Sequence, residues 1–268
     1  MQVYYINLAS RIDRRAFMET QLSAIGLTFT RIEAVTPNDL SAADIKRYCN
    51  SWRHHWLTPP ELACWSSHLR AMSALLASDA PYALILEDDS ILSERVPAFL
   101  FAFEVAAPPY DICRLEVIDG IIRYRRGLDP DIADVAMLRP YGRADGCGAY
   151  ILSRRAASAI LDAPRLRAIA ADIILFDPYG PLRHLSMRHT DPALSVQNVV
   201  LKSPIEHSFS SDIEAARAVR YRNVWHSPWR LPYRILDALH KHVVVAVQRA
   251  WHRYIGGARR QRIRFAPR

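Results

Sequence analysis

Glycine is scarce in this chain of 268 residues: there are nine, where an average usage of about 7% would give roughly twice as many. No G-x-x-x-x-G-K-[ST] occurs, and Gly146-Cys147-Gly148 lacks the third glycine of a dinucleotide fingerprint. A diphosphate bound here is therefore expected to meet a metal and basic side chains, not a glycine cradle. Cysteine is also sparse. Cys49, Cys64, Cys113 and Cys147 are widely spaced, show no paired metal-ligand pattern and imply no disulfide framework, which reads as reduced, mostly buried thiols in a cytoplasmic protein. No apolar run is long enough to span a bilayer, and Met1 leads into Val3-Tyr4-Tyr5-Ile6-Asn7-Leu8 without a basic region or a cleavage site, so no signal peptide is expected. Half of the residues are hydrophobic, which excludes disorder for the bulk and is enough for one large α/β domain, alone or with an appendage.

Charge is unevenly spread. From Arg220 to the end there are twelve Lys or Arg against the single acid Asp237, a net +11 that leaves −3 on the preceding residues out of a total of +8. The basic character belongs to the tail.

The most informative stretch covers residues 82–92. The apolar, β-prone run Tyr82-Ala83-Leu84-Ile85-Leu86 stops at Glu87-Asp88-Asp89. Carboxylates at the carboxyl end of a buried strand sit where open α/β sheets bind ligands, the profile of a metal and nucleotide-sugar site. Strand side chains alternate, so Glu87 and Asp89 are expected to point one way and Asp88 the other. The competing reading is a solvated acidic turn.

Residues 3–8 read as a buried strand, and Ser10-x-x-Asp13 as a capping box opening a helix with the stripe Met18, Leu22 and Ile25, stopped by Gly26. Asn7, Arg11, Asp13, Arg14 and Arg15 then fall in the first βα turn, where they could meet a nucleotide or serve only as cap and surface charge. Residues 28–35 form a weaker strand candidate, and 38–56 are irregular apart from a short helix near 42–48. Thr58-Pro59-Pro60-Glu61 is a strong helix start. Its helix carries the core stripe Leu62, Trp65, Leu69, Met72 and Leu76, with Glu61, Cys64 and His68 on the neighbouring stripe. Arg123-Tyr124-Arg125-Arg126-Gly127 reads as a basic surface loop.

Three blocks in order, Tyr-Ile-Asn-Leu-x-x-Arg-x-Asp-Arg-Arg at the start, Leu57-Thr58-Pro59-x-Glu61-x-x-Cys64-x-x-Ser67-His68-Leu69, and Ala83-Leu84-Ile85-Leu86-Glu87-Asp88-Asp89, resemble glycosyltransferase family 25. That family includes bacterial lipooligosaccharide β-galactosyltransferases and collagen galactosyltransferases. The likeness continues through Asp111-Ile112-x-Arg114-Leu115, residues 148–157, Asp172, Pro192-Ala193-Leu194-x-x-Gln197 and residues 203–211, and so covers roughly residues 1–212. Ala63 stands where glycine commonly precedes the cysteine, and Thr36-Pro37-Asn38 replaces the usual Asp-Gly.

The resemblance implies a GT-A type, Rossmann-like α/β domain with a central, mostly parallel sheet. It also implies metal-dependent transfer from a UDP-sugar with inversion, UDP-galactose being the favoured donor. Asp89 is then the ligand of Mn²⁺ or Mg²⁺, whose positive charge suits the diphosphate as it leaves. Glu87 and Asp88 orient ribose, donor sugar or a metal-bound water. Arg14 and Arg11, with Asn7 and His68, complete the donor-binding set. Inversion needs a base at hydrogen-bond reach of the acceptor hydroxyl. Asp172 is the first candidate and Asp145, beside the Gly146-Cys147-Gly148 stretch, the second. His189 and His207 are candidates for a second metal ligand. The acceptor is expected to be a lipooligosaccharide or another lipid-linked glycan.

Residues 216–268 form a separate extension behind a catalytic domain at 1–215. Leu236, Leu239, Val243, Val247, Ala250 and Tyr254 recur at helical spacing, with Arg and Lys on other faces. This suits a basic amphipathic helix on an anionic membrane, peripheral on the cytoplasmic face of the inner membrane. The alternative packs the helix on the domain and leaves the last dozen residues disordered. No recognition module for nucleic acid is present.

Overall fold

A computed structural model of the chain describes residues 1–53, 56–118, 121–125, 129–198, 227–254, 257 and 259–267. Strands β1 (Gln2–Asn7) and β2 (Thr30–Glu33) flank helix α1 (Ile12–Ala24), and α2 spans Ala42–Tyr48. Helix α3 (Pro59–Ala77) leads to β3 (Tyr82–Glu87), the short β4 (Ser90–Leu92) and α4 (Val96–Ala106). Then come β5 (Ile112–Arg114), β6 (Glu116–Val117), β7 (Ile122–Arg125), β8 (Ala136–Pro140) and β9 (Ala149–Ser153), followed by α5 (Arg154–Leu161), α6 (Ala171–Phe176), β10 (Met187–Asp191) and β11 (Ser195–Gln197). Helices α7 (Leu231–Leu239) and α8 (Val245–Tyr254), joined by a π-helical turn at His240–Val244, precede β12 (Arg259–Gln261).

Nine strands form one sheet in the order β12-β7-β8-β10-β5-β9-β3-β1-β2. Strands β2, β1, β3, β5, β10 and β7 run one way, while β9, β8 and β12 are reversed. The fold is mixed α/β on a sheet whose strands mostly share one direction, with β9 inserted antiparallel between β3 and β5. A second sheet, β4-β11-β6, sits at the carboxyl ends of β3 and β5.

Alternation along the strands divides the core. Tyr4, Ile6, Ala83 and Ile85 face α3, α5 and α6, whereas Val3, Tyr5, Leu84 and Leu86 face α1 and α4. Trp65 and Met72 are fully buried in the first layer and Phe99 and Phe103 in the second, each contributing about 1.5–3 kcal/mol through removal from water. The start of α3 is as expected: Thr58 accepts from the Glu61 amide, and the Glu61 carboxylate accepts from the Thr58 amide at 2.8 Å. The start of α1 is not. Arg11, not Ser10, occupies its N-cap position, and no side chain caps it.

The supposed basic loop also differs. Residues 122–125 are strand β7, with Tyr124 buried, because β8 and β12 satisfy its backbone on both sides. Arg126 and Gly127 lie outside the described residues, as do His207, residues 203–211 and the 215/216 boundary. Residues 259–267 pack on the domain: β12 pairs with β7, Ile263 is buried beside Tyr124 and Leu138, and Ala193 exchanges backbone hydrogen bonds with Arg264 and Ala266. Arg230, fully buried, donates to the Arg53 carbonyl at 2.8 Å, and Trp229 stacks on Trp52. Between these anchors, Leu231, Ile235, Leu236, Leu239, Val243, Val247 and Trp251 on α7, α8 and the turn between them are each more than half exposed.

Candidate active site

Glu87 ends β3 on the side of α3, while Asp88, one residue on, turns to the side of β1 and α1, as strand alternation requires. Asp88 accepts from Asn7 Nδ2 at 2.8 Å and from Arg14 Nη1 at 2.8 Å. The same Asn7 amide also donates to the Arg11 carbonyl, which fixes the first turn of α1 against the acids. Arg11 itself reaches Asp13 at 3.5 Å. Three of the expected donor-binding residues, Asn7, Arg14 and Asp88, are thus one network.

On the other side, His68 Nε2 lies 3.1 Å from Glu87 Oε1 and its Nδ1 lies 2.9 Å from the Tyr150 hydroxyl. Burial pushes the His68 pKa down, but hydrogen bonds from the imidazole to Cys64 and Glu87 outweigh it, and the imidazole is raised to about 10. Glu87 is held below the usual carboxylate range: burial opposes its charge, and His68 more than offsets it. Gln197 Nε2 donates to Glu87 Oε2 at 3.4 Å, so β11, at the end of the Pro192-to-Gln197 stretch, borders the site.

Asp89 differs from its neighbours. Its Oδ1 is buried and has no hydrogen-bond partner among the described residues. Burial first, then the charge of Glu87, raises its pKa to about 8, against the lowering effect of Arg14. Glu116, at the end of the segment that follows β5, is a fourth carboxylate of the cluster. It is fully buried, lies 3.2 Å from Arg114 Nη2, accepts from the Gly148 amide at 3.1 Å and is raised to about 7, chiefly by burial. Its Oε1 has no hydrogen-bond partner among the described residues either. Arg14 faces Asp88, Arg114 faces Glu116 and His68 faces Glu87, which leaves Asp89 as the carboxylate without a cation of its own among the described residues. The buried, unpartnered oxygens of Asp89 and Glu116 thus sit among carboxylates that repel one another.

The glycines beside Asp145 are there for close approach. A Cβ on Gly148 would run into the Glu116 carboxylate, and Gly146, at φ +82°, adopts a backbone conformation that L side chains rarely reach. Asp172, at the start of α6, accepts from its neighbour Ile173 N at 2.8 Å and from Gly146 N at 3.4 Å, so it borders this loop and performs helix-start chemistry as well. Asp145 turns outward to Arg143 at 3.0 Å, while its carbonyl accepts from Arg114. His189 Nε2 is buried without a hydrogen-bond partner among the described residues. It sits in the sheet opposite Arg114, Nδ1 3.1 Å from the Tyr124 hydroxyl, and burial with the Arg114 charge holds it neutral.

Residues 1–175 match the family model described as glycosyltransferase family 25 (LPS biosynthesis protein). The chain belongs to glycosyltransferase family 25. Among family relatives, it is 28% identical to the lacto-N-neotetraose biosynthesis glycosyltransferase LgtE of Neisseria gonorrhoeae, over 74% of this chain and 75% of that protein. It is 27% identical to LgtB of Neisseria meningitidis serogroup B, over 77% of this chain and 82% of that one. A CMP:2-keto-3-deoxy-manno-octonic acid synthetase solved with CTP aligns at 11% identity and a TM-score of 0.31, over 72% of this chain and 75% of that one, too distant a likeness to bear on function.

Membership makes the chain a glycosyltransferase. Sequence reasoning missed Glu116, although it obeys the rule that singled out Glu87: a carboxylate just past a short buried strand. It also missed Cys147, because only the fold brings residue 147 against the helix that carries Cys64. No helix among the described residues is long and apolar enough to cross a membrane.

Proposed function

We propose that this protein is an inverting, metal-dependent hexosyltransferase of GT-A type that transfers galactose from UDP-galactose to a lipooligosaccharide or other lipid-linked glycan. The observation that carries the reading is Asp89 Oδ1, buried without a partner inside a four-carboxylate group. Asp89 and Glu116 would hold Mn²⁺ or Mg²⁺, which supplies positive charge for the diphosphate as it leaves. Arg14 and Asn7 hold Asp88 in place at the first βα turn, where ribose or the donor sugar can be addressed through its carboxylate. Glu87 is oriented from behind by His68 and Gln197. Asp172, bordering Gly146, takes the proton of the acceptor hydroxyl, and Asp145 is the second candidate at the rim. The likeness to lacto-N-neotetraose biosynthesis glycosyltransferases of Neisseria supports a glycan acceptor.

The exposed apolar stripe of α7 and α8, inside a tail of net +11, would lie on an anionic membrane surface, with basic side chains near the lipid contributing about 1 kcal/mol each. On this reading the protein is a peripheral enzyme on the cytoplasmic face of the inner membrane, with residues 216–268 carrying its attachment.

Calorimetric titration of UDP and then UDP-galactose, with Mn²⁺ or EDTA, tests the reading. Binding should require both the metal and Asp89, and Asp89→Ala should remove it. Absence of UDP binding would favour a catalytically inactive scaffold, whereas binding of UDP with hydrolysis of UDP-glucose or a UDP-N-acetylhexosamine in place of UDP-galactose would reassign the donor. Asp172→Asn should bind UDP-galactose normally and transfer nothing; retained transfer would remove Asp172 as the base.

A further inference from the structure

Behind the acidic turn, four side chains from three parts of the fold converge. Cys64 and His68 are four residues apart on α3, so they share one helix face. Glu87 comes from the end of β3 and Cys147 from the loop before β9. His68 Nε2 is 3.1 Å from Glu87 Oε1, Cys147 Sγ is 3.4 Å from His68 Nε2 and 3.2 Å from Glu87 Oε1, and Cys64 Sγ is 4.0 Å from Glu87 Oε1. The ligand atoms of Cys64, His68 and Glu87 all lie within 4.8 Å of one another.

We propose that Cys64, His68, Glu87 and Cys147 form a closed, tetrahedral zinc site. With metal-ligand bonds of about 2.3 Å to sulfur and 2.0–2.1 Å to nitrogen or oxygen, the ligand atoms of a tetrahedral site stand roughly 3.3–3.8 Å apart. His68, Glu87 and Cys147, at 3.1–3.4 Å from one another, stand close to these spacings, and Cys64 Sγ, at 4.0 Å from Glu87 Oε1, has to draw in towards them. Its outer partners agree. Tyr150, fully buried, holds His68 Nδ1, which leaves Nε2 turned to the cluster, and Gln197 holds Glu87 Oε2, which leaves Oε1. Two sulfurs and an imidazole select a borderline-soft cation such as zinc over manganese or magnesium, while the all-oxygen set at Asp89 and Glu116 has the opposite preference. On binding, the thiols and the His68 imidazolium give up their protons to solvent, so that two thiolates, a neutral imidazole and a carboxylate each form one bond to the metal, with no change of oxidation state.

Four protein ligands leave no open position, so the ion is structural. It ties the carboxyl end of β3 to α3 and to the Gly146–Gly148 loop, and so fixes the backbone from which Asp88 and Asp89 project. The assignment does not depend on which sugar the enzyme transfers, or on whether it transfers one.

The test uses the full chain, freed of metal under reducing conditions and titrated with Co²⁺. We expect about one equivalent bound, the intense visible absorption of tetrahedral cobalt, a thiolate-to-cobalt band in the near ultraviolet, and loss of both on adding Zn²⁺. Cys147→Ser should weaken the thiolate band and lower zinc affinity at least about tenfold, and Tyr150→Phe, which removes only the outer hydrogen bond, should lower it about 10–100-fold. Cobalt bound without a thiolate band would overturn the proposal, as would unchanged zinc affinity in Cys147→Ser or recovery of Cys64 and Cys147 as a disulfide in the native chain. Because cobalt absorption reports the thiols directly, it is independent of UDP binding, and the two readings fail separately.

Discussion

Replacing Asp89 with asparagine keeps the side chain's size and removes its charge, which makes it a direct probe of the crowded carboxylates. In the metal-free fold the pKa of Asp89 rises from 3.8 to about 8, mainly through burial. A group whose pKa is raised on folding holds its proton more tightly in the folded state. Its contribution to stability is therefore fully present below about pH 4 and is lost as pH climbs through 8. At about 1.4 kcal/mol per pH unit the complete loss is on the order of 5 kcal/mol, a ceiling that structural relaxation and water entry reduce. Denaturant unfolding in EDTA at pH 5 and pH 8 should show the wild type losing about 2 kcal/mol or more relative to Asp89→Asn. Glu116 and His68, also raised, are common to both proteins, so the difference reports chiefly on Asp89. At pH 8, Mn²⁺ at a hundred times its dissociation constant should restore about 2.7 kcal/mol to the wild type and little to the variant. Equal pH dependence of the two proteins in EDTA, or equal stabilisation of both by Mn²⁺, would refute the placement of an unneutralised carboxylate at residue 89.

Arg14→Ala strips the cation from Asp88 in a pair whose side chains are only 13% and 11% exposed, and should lower unfolding free energy by about 2 kcal/mol and weaken UDP binding; stability unchanged in EDTA would count against the pair. Gly148→Ala drives a methyl group into Glu116 and to 3.1 Å from Ser90 Oγ, which should destabilise by about 1–3 kcal/mol and lower Tm by several degrees, measured by calorimetry. Leu236→Glu with Val243→Glu should leave Tm nearly unchanged, since both positions are exposed, and should reduce sedimentation with phosphatidylglycerol vesicles. Equal sedimentation of variant and wild type would remove the stripe as the membrane contact.

Local chemistry determined much of this protein. The Thr58-Pro59-Pro60-Glu61 start of α3, the apolar run of β3 and the break at Glu87-Asp88-Asp89 are legible because capping and strand alternation depend on residues a few positions apart. The same rule placed Asp88 opposite Glu87, and its side chain does face α1. The order of the three blocks was enough to identify the family. What the sequence could not express was which distant residues meet. Glu116 joins the acids because β9 brings the Gly148 amide to its carboxylate, Cys147 reaches Cys64 and His68 across the same strand, and the last residues return to pair with β7 and bury Ile263. These contacts span some 30 to 140 positions in the chain, a separation at which no local periodicity carries information. His189 shows the limit in the other direction: a histidine in the right region of the sequence is turned by sheet register towards Tyr124 and Arg114, and only the tertiary structure decides that.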